Sequence, residues 1–276
     1  MIIVDFSNLY IAMSTAESSK PFIQRVRHDF RARHLQLLAR EPISPGFVRL
    51  TLGGPELEGF LSAGFDDHIK LILPQAGLEK PNLPAMVDGR PHIEGERPTM
   101  RDYTPLYYDA AAGTLRVDFA IRGTGPAAEW ARTAPIGDWL GVAGPRGSMV
   151  VPADLSWHWF FGDETAMPAI ERRLAELPAG TKALVRVQLA DPADRRAWRS
   201  AAELDLQWVD SLTQALEPLS IPEGDGFIWA AGEHRVMAEL RGLALAKPGA
   251  NPRHMRIASY WKQGEDGHHE ELGNSD

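Results

Sequence analysis

Residues 157–170 read WHWFFGDETAMPAI: a largely apolar run ends at a glycine, and a helix-forming segment with an early proline follows. A short apolar run bounded by a turn is typical of a strand buried on both faces, and proline is favoured at the first position of a helix. The alternation continues along the chain, with strand-like runs ALVRVQLA, LQWVD and GFIWAAG and helical segments 167–177, 211–216 and 234–245. This βαβ pattern predicts an α/β half with a parallel sheet.

The chain before this segment has a different pattern. Basic and apolar residues alternate between residues 25 and 52, and further strand candidates, separated by turns rich in glycine and proline, are 67–73, 100–104, Thr114–Ala120 and Trp139–Ala143. Short strands at this spacing predict a closed antiparallel β-barrel. We therefore expect an N-terminal extension at 1–20, a barrel domain at 21–151, an α/β domain at 152–264 and a flexible tail at 265–276.

Composition narrows the function. The formal net charge of -8 and the pI of about 5.6 argue against binding to nucleic acid or to an anionic membrane surface. The absence of cysteine excludes disulfides, thiolate nucleophiles and cysteine-ligated iron–sulfur clusters, so redox chemistry would need a bound cofactor. The histidines form no metal-binding pattern, and apolar runs fall short of the about 20 residues that span a bilayer. We expect a cytoplasmic monomer with no stable membrane association and no resident metal.

A first candidate site lies at the end of the strand predicted for residues 100–104. Alternation places Arg101 and Tyr103 on one face, so that a guanidinium suited to phosphate lies beside a ring able to stack on a heterocycle. Thr104, just before Pro105, offers its hydroxyl or N–H group to the polar edge of such a ring system. A flavin nucleotide would suit this pair, although an ordinary surface strand carrying a cation–π pair would also have it.

A second candidate is the segment GTGPAAEWA at 123–131, which follows the next strand. Glycines allow close backbone approach, and the helix that starts at Pro126 offers free N–H groups and a positive dipole end to a diphosphate. The segment therefore favours FAD over FMN, with a glycine turn entering a short helix as the alternative.

A third candidate lies in the α/β half, where ligands bind at the carboxyl ends of parallel strands. Asp163 or Thr165 is expected to cap the helix that follows the first strand, and the end of the strand near residue 232 would lie close by. The segment is not G-x-G-x-x-G, and a capping turn without a ligand remains an alternative. The candidates for contact with a nicotinamide cofactor are Asp163, Glu164, Thr165, Gly232 and Glu233.

These motifs, together with GPRGS at 144–148 and YWKQG at 260–264, occur in the order seen in the siderophore-interacting protein family, and the chain resembles that family over roughly residues 22–264. Members are FAD-dependent ferric-siderophore reductases similar to ferredoxin reductases. The resemblance implies a flavin-binding barrel followed by a nicotinamide-binding α/β domain. It implies that the flavin is held by Arg101, Tyr103 and Thr104, with Asp118, Phe119, Gly125, Pro126, Ala127 and Trp130 along the rest of the cofactor.

The resemblance also implies a basic pocket over the flavin for the anionic iron chelate. By position its members are Lys70, Arg146 and Lys262. Cations that converge in an acidic protein would focus attraction on an anionic substrate.

The chain departs from the family pattern at several positions. Arg122 replaces a usual histidine before the glycine loop, and Ala128 replaces a serine after it. The segment 208–211 reads WVDS where relatives often have Trp-Leu-His-Arg, which leaves the choice between NADPH and NADH open. Arg195 and Arg196 are candidates for a 2′-phosphate contact.

The expected function is reduction of a ferric siderophore by an FAD enzyme that takes electrons from NAD(P)H and releases iron as Fe(II). Three alternatives remain at this point: a flavoprotein reductase for another acceptor, a reductase with ferredoxin as its donor, and a siderophore-binding protein without catalysis.

Overall fold

The computed structural model describes residues 23–264 and the backbone of Glu270–Glu271. The predicted extension at 1–20 lies outside the described residues, as does the predicted tail apart from that short segment.

The N-terminal half is built mainly from antiparallel strands. Its elements are β1 (Gln24–Arg27), β2 (Ala32–Ser44), β3 (Phe47–Gly53), β4 (Ile69–Ile72), β5 (Ala85–Val87), β6 (Arg90–His92), β7 (Met100–Tyr103), β8 (Tyr107–Asp109), β9 (Thr114–Ala120), α1 (Pro126–Thr133), β10 (Trp139–Ala143) and β11 (Gly147–Val150). The main sheet has the order β7-β4-β10-β2-β3-β9-β8. Two further pairs, β1 with β11 and β5 with β6, stand beside it.

Alternation along these strands produces the core. Leu35 and Leu37 of β2, Leu50 and Leu52 of β3 and Phe119 of β9 are all buried in one apolar cluster, while the residues between them face outward or are half-buried. The antiparallel N-terminal domain expected from the sequence is confirmed. The strand pattern of the sequence did not predict β5, β6, β8 or β11, which are short strands among turn residues.

The C-terminal half is a parallel sheet with helices on both faces. Its elements are β12 (Trp157–Gly162), α2 (Met167–Glu176), β13 (Lys182–Gln188), β14 (Glu203–Val209), α3 (Leu212–Leu216), β15 (Gly226–Glu233), α4 (His234–Leu245), β16 (Met255–Trp261) and β17 (Glu270–Glu271). The order is β14-β13-β12-β15-β16-β17, with β17 antiparallel to its neighbour. The α/β half with a parallel sheet is therefore confirmed.

Side chains alternate between the two faces of this sheet. Trp157, Trp159 and Phe161 of β12 pack with α3 and α4, whereas Phe160 packs with α2. The face that carries α2 also receives Phe65 from the N-terminal half. Among the described helices, none is both long enough and apolar enough to cross a membrane.

A buried ionic cluster joins the two halves. The side chain of Asp118 on β9 is fully buried and accepts from Arg49 of β3 at 2.7 Å and from Arg196, which follows β13, at 2.6 Å. Glu171 of α2 accepts from the same two guanidiniums at 2.7 and 2.8 Å. Opposite charges alternate around this cluster, which pairs carboxylates that would otherwise be costly to bury, while Arg196 Nε and Nη2 are buried without a hydrogen-bond partner.

Asp194 forms a second contact across this seam. Its carboxylate accepts from Ser44 Oγ and the Gly46 N–H group, each at 2.7 Å, and from Arg122 Nε at 2.8 Å. A Cβ atom at Gly46 would lie 2.3 Å from Asp194 Oδ2, so the close approach requires glycine. The departure at Arg122 is thus accounted for, because its guanidinium binds Asp191 as well as Asp194.

We expect Asp194→Ala to lower the free energy of unfolding by about 1–3 kcal/mol, because it leaves the buried Gly46 N–H group without its acceptor, while Arg122 keeps Asp191 as a partner. Urea unfolding followed by circular dichroism measures this change. Asp205→Ala is the matched control: its carboxylate also binds one arginine, Arg186, but it is 54% exposed, so we expect a change below about 1 kcal/mol. Equal losses in the two variants would contradict a stabilising role for the seam contact.

Candidate functional site

An open cleft of about 360 Å³ lies between the two halves. One wall comes from β4, β7 and the turn that leads into α1. The other comes from the turn between β12 and α2 and from the end of β16. A ligand in this cleft would therefore contact both halves at once.

On the barrel side, β7 supplies Arg101 and Tyr103 to the cleft, and Thr104 follows directly after the strand. The Tyr103 ring lies 4.3 Å from that of Phe119, with 34° between the ring planes. Burial raises the pKa of the Tyr103 phenol above its usual range, so this residue stays uncharged at neutral pH. An uncharged ring braced from behind is suited to stack on a flat heterocycle.

The turn at 123–125 and the start of α1 form the phosphate-suited part of the cleft. No side chain caps α1 at Gly125, and the first N–H groups of a helix have no partner within it. A Cβ atom at Gly125 would meet nothing within 4 Å, so the turn faces open space. An open helix N-terminus of this kind binds a diphosphate through its N–H groups and dipole. Together with Arg101 and Tyr103, these residues fit FAD.

On the α/β side, Asp163 connects three elements. Its Oδ1 atom accepts from the N–H group of Thr165 at 2.9 Å and from the Thr165 hydroxyl at 2.5 Å. Its Oδ2 atom accepts from the Glu233 N–H group at 3.0 Å and from Trp261 Nε1 at 2.8 Å. Burial raises the pKa of Asp163, and the donated hydrogen bonds oppose that rise. The expected capping role of Asp163 is observed, and the same carboxylate holds the indole of Trp261 against the cleft.

Seven predicted residues do not line the cleft. Phe119 and Trp130 belong to the barrel core or pack on it, and Asp163 acts through its hydrogen bonds; the other four are Gly232, Glu233, Arg146 and Lys262. The structure brings together Lys70, Arg101, Tyr103, Thr104, Asp118, Gly125, Pro126, Ala127, Glu164 and Thr165. Both oxygens of Asp118 already accept from arginines.

The interpretation of Arg196 as a 2′-phosphate ligand is wrong. Its side chain is only 6% exposed, and its Nη1 atom donates to Asp118 and Glu171. Arg195 is exposed and stays a candidate.

The lining residues that the sequence did not single out include Phe47, His68, Tyr260 and Trp261. The last two belong to the motif YWKQG, in which only Lys262 had been singled out. Their position at the carboxyl end of a parallel strand was a usable signal, because such ends meet at the same edge of the sheet as Asp163.

The predicted substrate cations occupy different settings. Lys70 lines the cleft and donates to both oxygens of Asp102 at 2.8 and 2.9 Å. Arg146 is exposed in the turn that follows Ala143, the cross-strand partner of Lys70. Lys262 is half-buried and directly follows Trp261. Of these three cations, Lys70 lines the cleft; Arg146 and Lys262 do not, although Lys262 directly follows the lining residue Trp261.

Comparison with known proteins identifies this arrangement. Residues 36–149 match a siderophore-interacting FAD-binding domain, and residues 155–264 match a siderophore-interacting protein domain. The chain is 42% identical to the NADPH-dependent ferric-chelate reductase of Escherichia coli strain K12 over 86% of this chain and 96% of that one. It is 29% identical to the ferric vibriobactin reductase ViuB of Vibrio cholerae over 87% and 93% of the two chains.

A solved structure gives the same result. The siderophore utilization protein from T. fusca is 31% identical, with a TM-score of 0.81 over 89% of this chain and 98% of that one. The fold and cleft define a flavin-binding oxidoreductase class with a barrel and an α/β half. The chain belongs to the siderophore-interacting protein family.

We expect Arg101→Ala to weaken FAD binding by about 1.5–3 kcal/mol, because a guanidinium–phosphate contact is charge-assisted. The dissociation constant of FAD, measured by adding FAD to flavin-free protein, checks this value. Arg116→Ala on β9 is the control, since Arg116 is an exposed barrel arginine that does not line the cleft. Unchanged FAD affinity in Arg101→Ala would show that Arg101 does not contribute to FAD binding.

Proposed function

We propose that this protein is an FAD-dependent reductase of ferric siderophores that takes its electrons from NADPH or NADH. The observation that carries the proposal is the cleft in the seam, which joins an open helix N-terminus, a braced phenol ring and nearby cations. The relatives named as ferric-chelate and ferric vibriobactin reductases support the substrate class, and the name of the first supports NADPH.

The residues of the barrel wall would hold the flavin. Arg101 and the first turn of α1 would bind its phosphates, Tyr103 would stack on its ring, and Thr104 would donate to the polar edge of that ring. When bound, FAD supplies the conversion between a two-electron donor and the single-electron transfers that iron requires.

The α/β wall would receive the donor. Glu164, Thr165 and Trp261 line that side of the cleft, and Trp261 is 39% exposed at its edge. Burial raises the pKa of Glu164, and the neighbouring carboxylate of Asp163 raises it further. With the barrel wall opposite, these side chains would limit water access to the reacting face.

The cations beside the cleft would bind the iron chelate. Lys70, Arg146 and Lys262 would attract an anionic chelate, and Asp102 offsets part of the charge of Lys70. Reduction to Fe(II) lowers the affinity of the chelator for iron, because Fe(II) is a weaker Lewis acid than Fe(III) toward hard oxygen donors. No protein acid or base is needed for that step.

The proposal is tested by anaerobic stopped-flow spectroscopy of the FAD-loaded protein with NADPH, NADH and reduced ferredoxin in parallel. We expect either nicotinamide to bleach the flavin and a ferric siderophore to restore its colour, with a ferrous trap recording iron release. If reduced ferredoxin reduces the flavin and neither nicotinamide does, ferredoxin and not NAD(P)H is the electron donor. Flavin that is reduced but not reoxidised by the siderophore would favour another acceptor, and protein that binds the chelate without reduction would be a carrier.

We expect the triple variant Lys70→Ala, Arg146→Ala, Lys262→Ala to raise KM for an anionic ferric siderophore about tenfold and to lose most of its dependence on salt, since each exposed contact contributes about 0–1 kcal/mol. Asp102→Asn should have the opposite effect and lower KM, because it removes the negative charge that offsets the charge of Lys70. Steady-state kinetics at several ionic strengths checks both. An unchanged KM and salt slope in the triple variant would place the pocket elsewhere.

A further inference from the structure

The three helix N-termini near the cleft differ in what occupies them. The start of α1 has no side-chain cap, whereas carboxylates of this chain itself cap the turns before α2 and α4. A dinucleotide donor brings its own diphosphate, which in many α/β proteins binds at the helix that follows the first strand. The N–H groups of the α2 and α4 turns therefore decide how this chain holds its donor.

The turn between β12 and α2 has few N–H groups to offer. The N–H group of Thr165 binds Asp163 Oδ1, that of Ala166 binds the Asp163 carbonyl oxygen at 3.1 Å, and that of Met167 binds the Glu164 carbonyl oxygen. The next residue, Pro168, has no N–H group. The carboxylate of Glu164 interacts with the N–H groups of Glu164 itself and of Ala190. A diphosphate entering here would have to displace these acceptors.

The turn before α4 is closed in the same way. Glu233 Oε2 accepts from the N–H groups of Arg235 and Val236 at 2.7 and 3.2 Å, while the N–H group of Glu233 binds Asp163. A Cβ atom at Gly232 would lie 2.6 Å from Asp163 Oδ2, so the space between the two strand ends is already filled.

Charge opposes a diphosphate at the same place. Asp163, Glu164 and Glu233 put three carboxyl groups at the shared carboxyl edge of β12 and β15. Like charges that approach within a few ångströms repel each other, most strongly where water is excluded. The diphosphate bridge would meet repulsion where other α/β proteins provide attraction.

We infer that this chain holds NADH by its nicotinamide half alone, without a diphosphate contact, and that it therefore accepts reduced nicotinamide mononucleotide (NMNH) about as well as NADH. The inference rests on the proposed function. One NMNH gives up two electrons and one proton and becomes NMN⁺, and two ferric chelates each take one electron. NADPH carries an added 2′-phosphate, for which Arg195 is the candidate contact, so a preference for NADPH over NADH would come from that group and not from the diphosphate.

The test compares NADH with NMNH, because neither carries the 2′-phosphate. With the FAD-loaded protein, we expect kcat/KM for flavin reduction to differ less than tenfold between the two donors. A larger preference for NADH overturns the inference while leaving the proposed function intact. Failure of both NADH and NADPH to reduce the flavin, with NMNH also inactive, instead removes the nicotinamide donor and this inference with it.

A binding measurement gives a second readout that does not depend on turnover. In Glu233→Gln, the amide oxygen can still cap α4 but the negative charge is gone, so NAD⁺ should bind more tightly relative to NMN⁺. We expect the ratio of their dissociation constants, from flavin difference spectra, to shift toward NAD⁺ at least threefold. Ser211→Ala, which removes the neutral cap of α3, is the control and should leave the ratio unchanged. A ratio that is unchanged in Glu233→Gln, or that shifts away from NAD⁺, contradicts the inference.

Discussion

The carboxylate of Asp118 is fully buried, and the packing of the two halves depends on keeping it paired. An isolated buried carboxylate would cost several kcal/mol, so β9 can carry it only where guanidiniums reach both of its oxygens. Arg49 of the barrel donates to both oxygens, at 2.7 and 3.0 Å, and Arg196 of the α/β half adds a third hydrogen bond at 2.6 Å. The buried charge of the barrel thus gives the second half a specific contact at the seam.

The cleft owes its shape to this docking. Arg172 of α2 donates to the Pro105 carbonyl oxygen at 3.0 Å and to Ser62 Oγ at 2.8 Å, directly behind the proposed flavin contact at Thr104. Asp66 of the barrel accepts from Trp229 of β15 at 3.1 Å and pairs with Arg256 of β16 at 2.6 Å. Each contact anchors a wall of the cleft to the opposite half. Binding residues held by such contacts need little reorganisation when a ligand enters.

The hydrophobic periodicity of the sequence was enough to predict the fold, because strand alternation and helix periodicity depend only on residues that are close in sequence. The bounds of β9, β10 and α4 follow directly from that pattern. The family motifs led to most of the cleft, including the turn into α1. Local pattern could not show that Arg196 faces inward to Asp118, since its partner lies 78 positions away on another sheet. Trp261 was missed for a similar reason: its role depends on the fourfold acceptor Asp163, a contact that exists only once the strand ends are aligned.

The N-terminus of α1 is open, whereas carboxylates of the chain cap the turns before α2 and α4, and this difference affects how strongly a diphosphate can bind at each helix. A cap supplied by the chain is always at hand, so a competing diphosphate must first displace acceptors that cost no translational entropy to bring there. The N-terminus of α1 has no such competitor, and its whole dipole is available to a ligand that remains bound between turnovers. A donor must leave after each turnover, and the carboxylates that cap the turns before α2 and α4 would favour its release. The GDET segment after β12 therefore fits a cleft that retains one dinucleotide and releases the other.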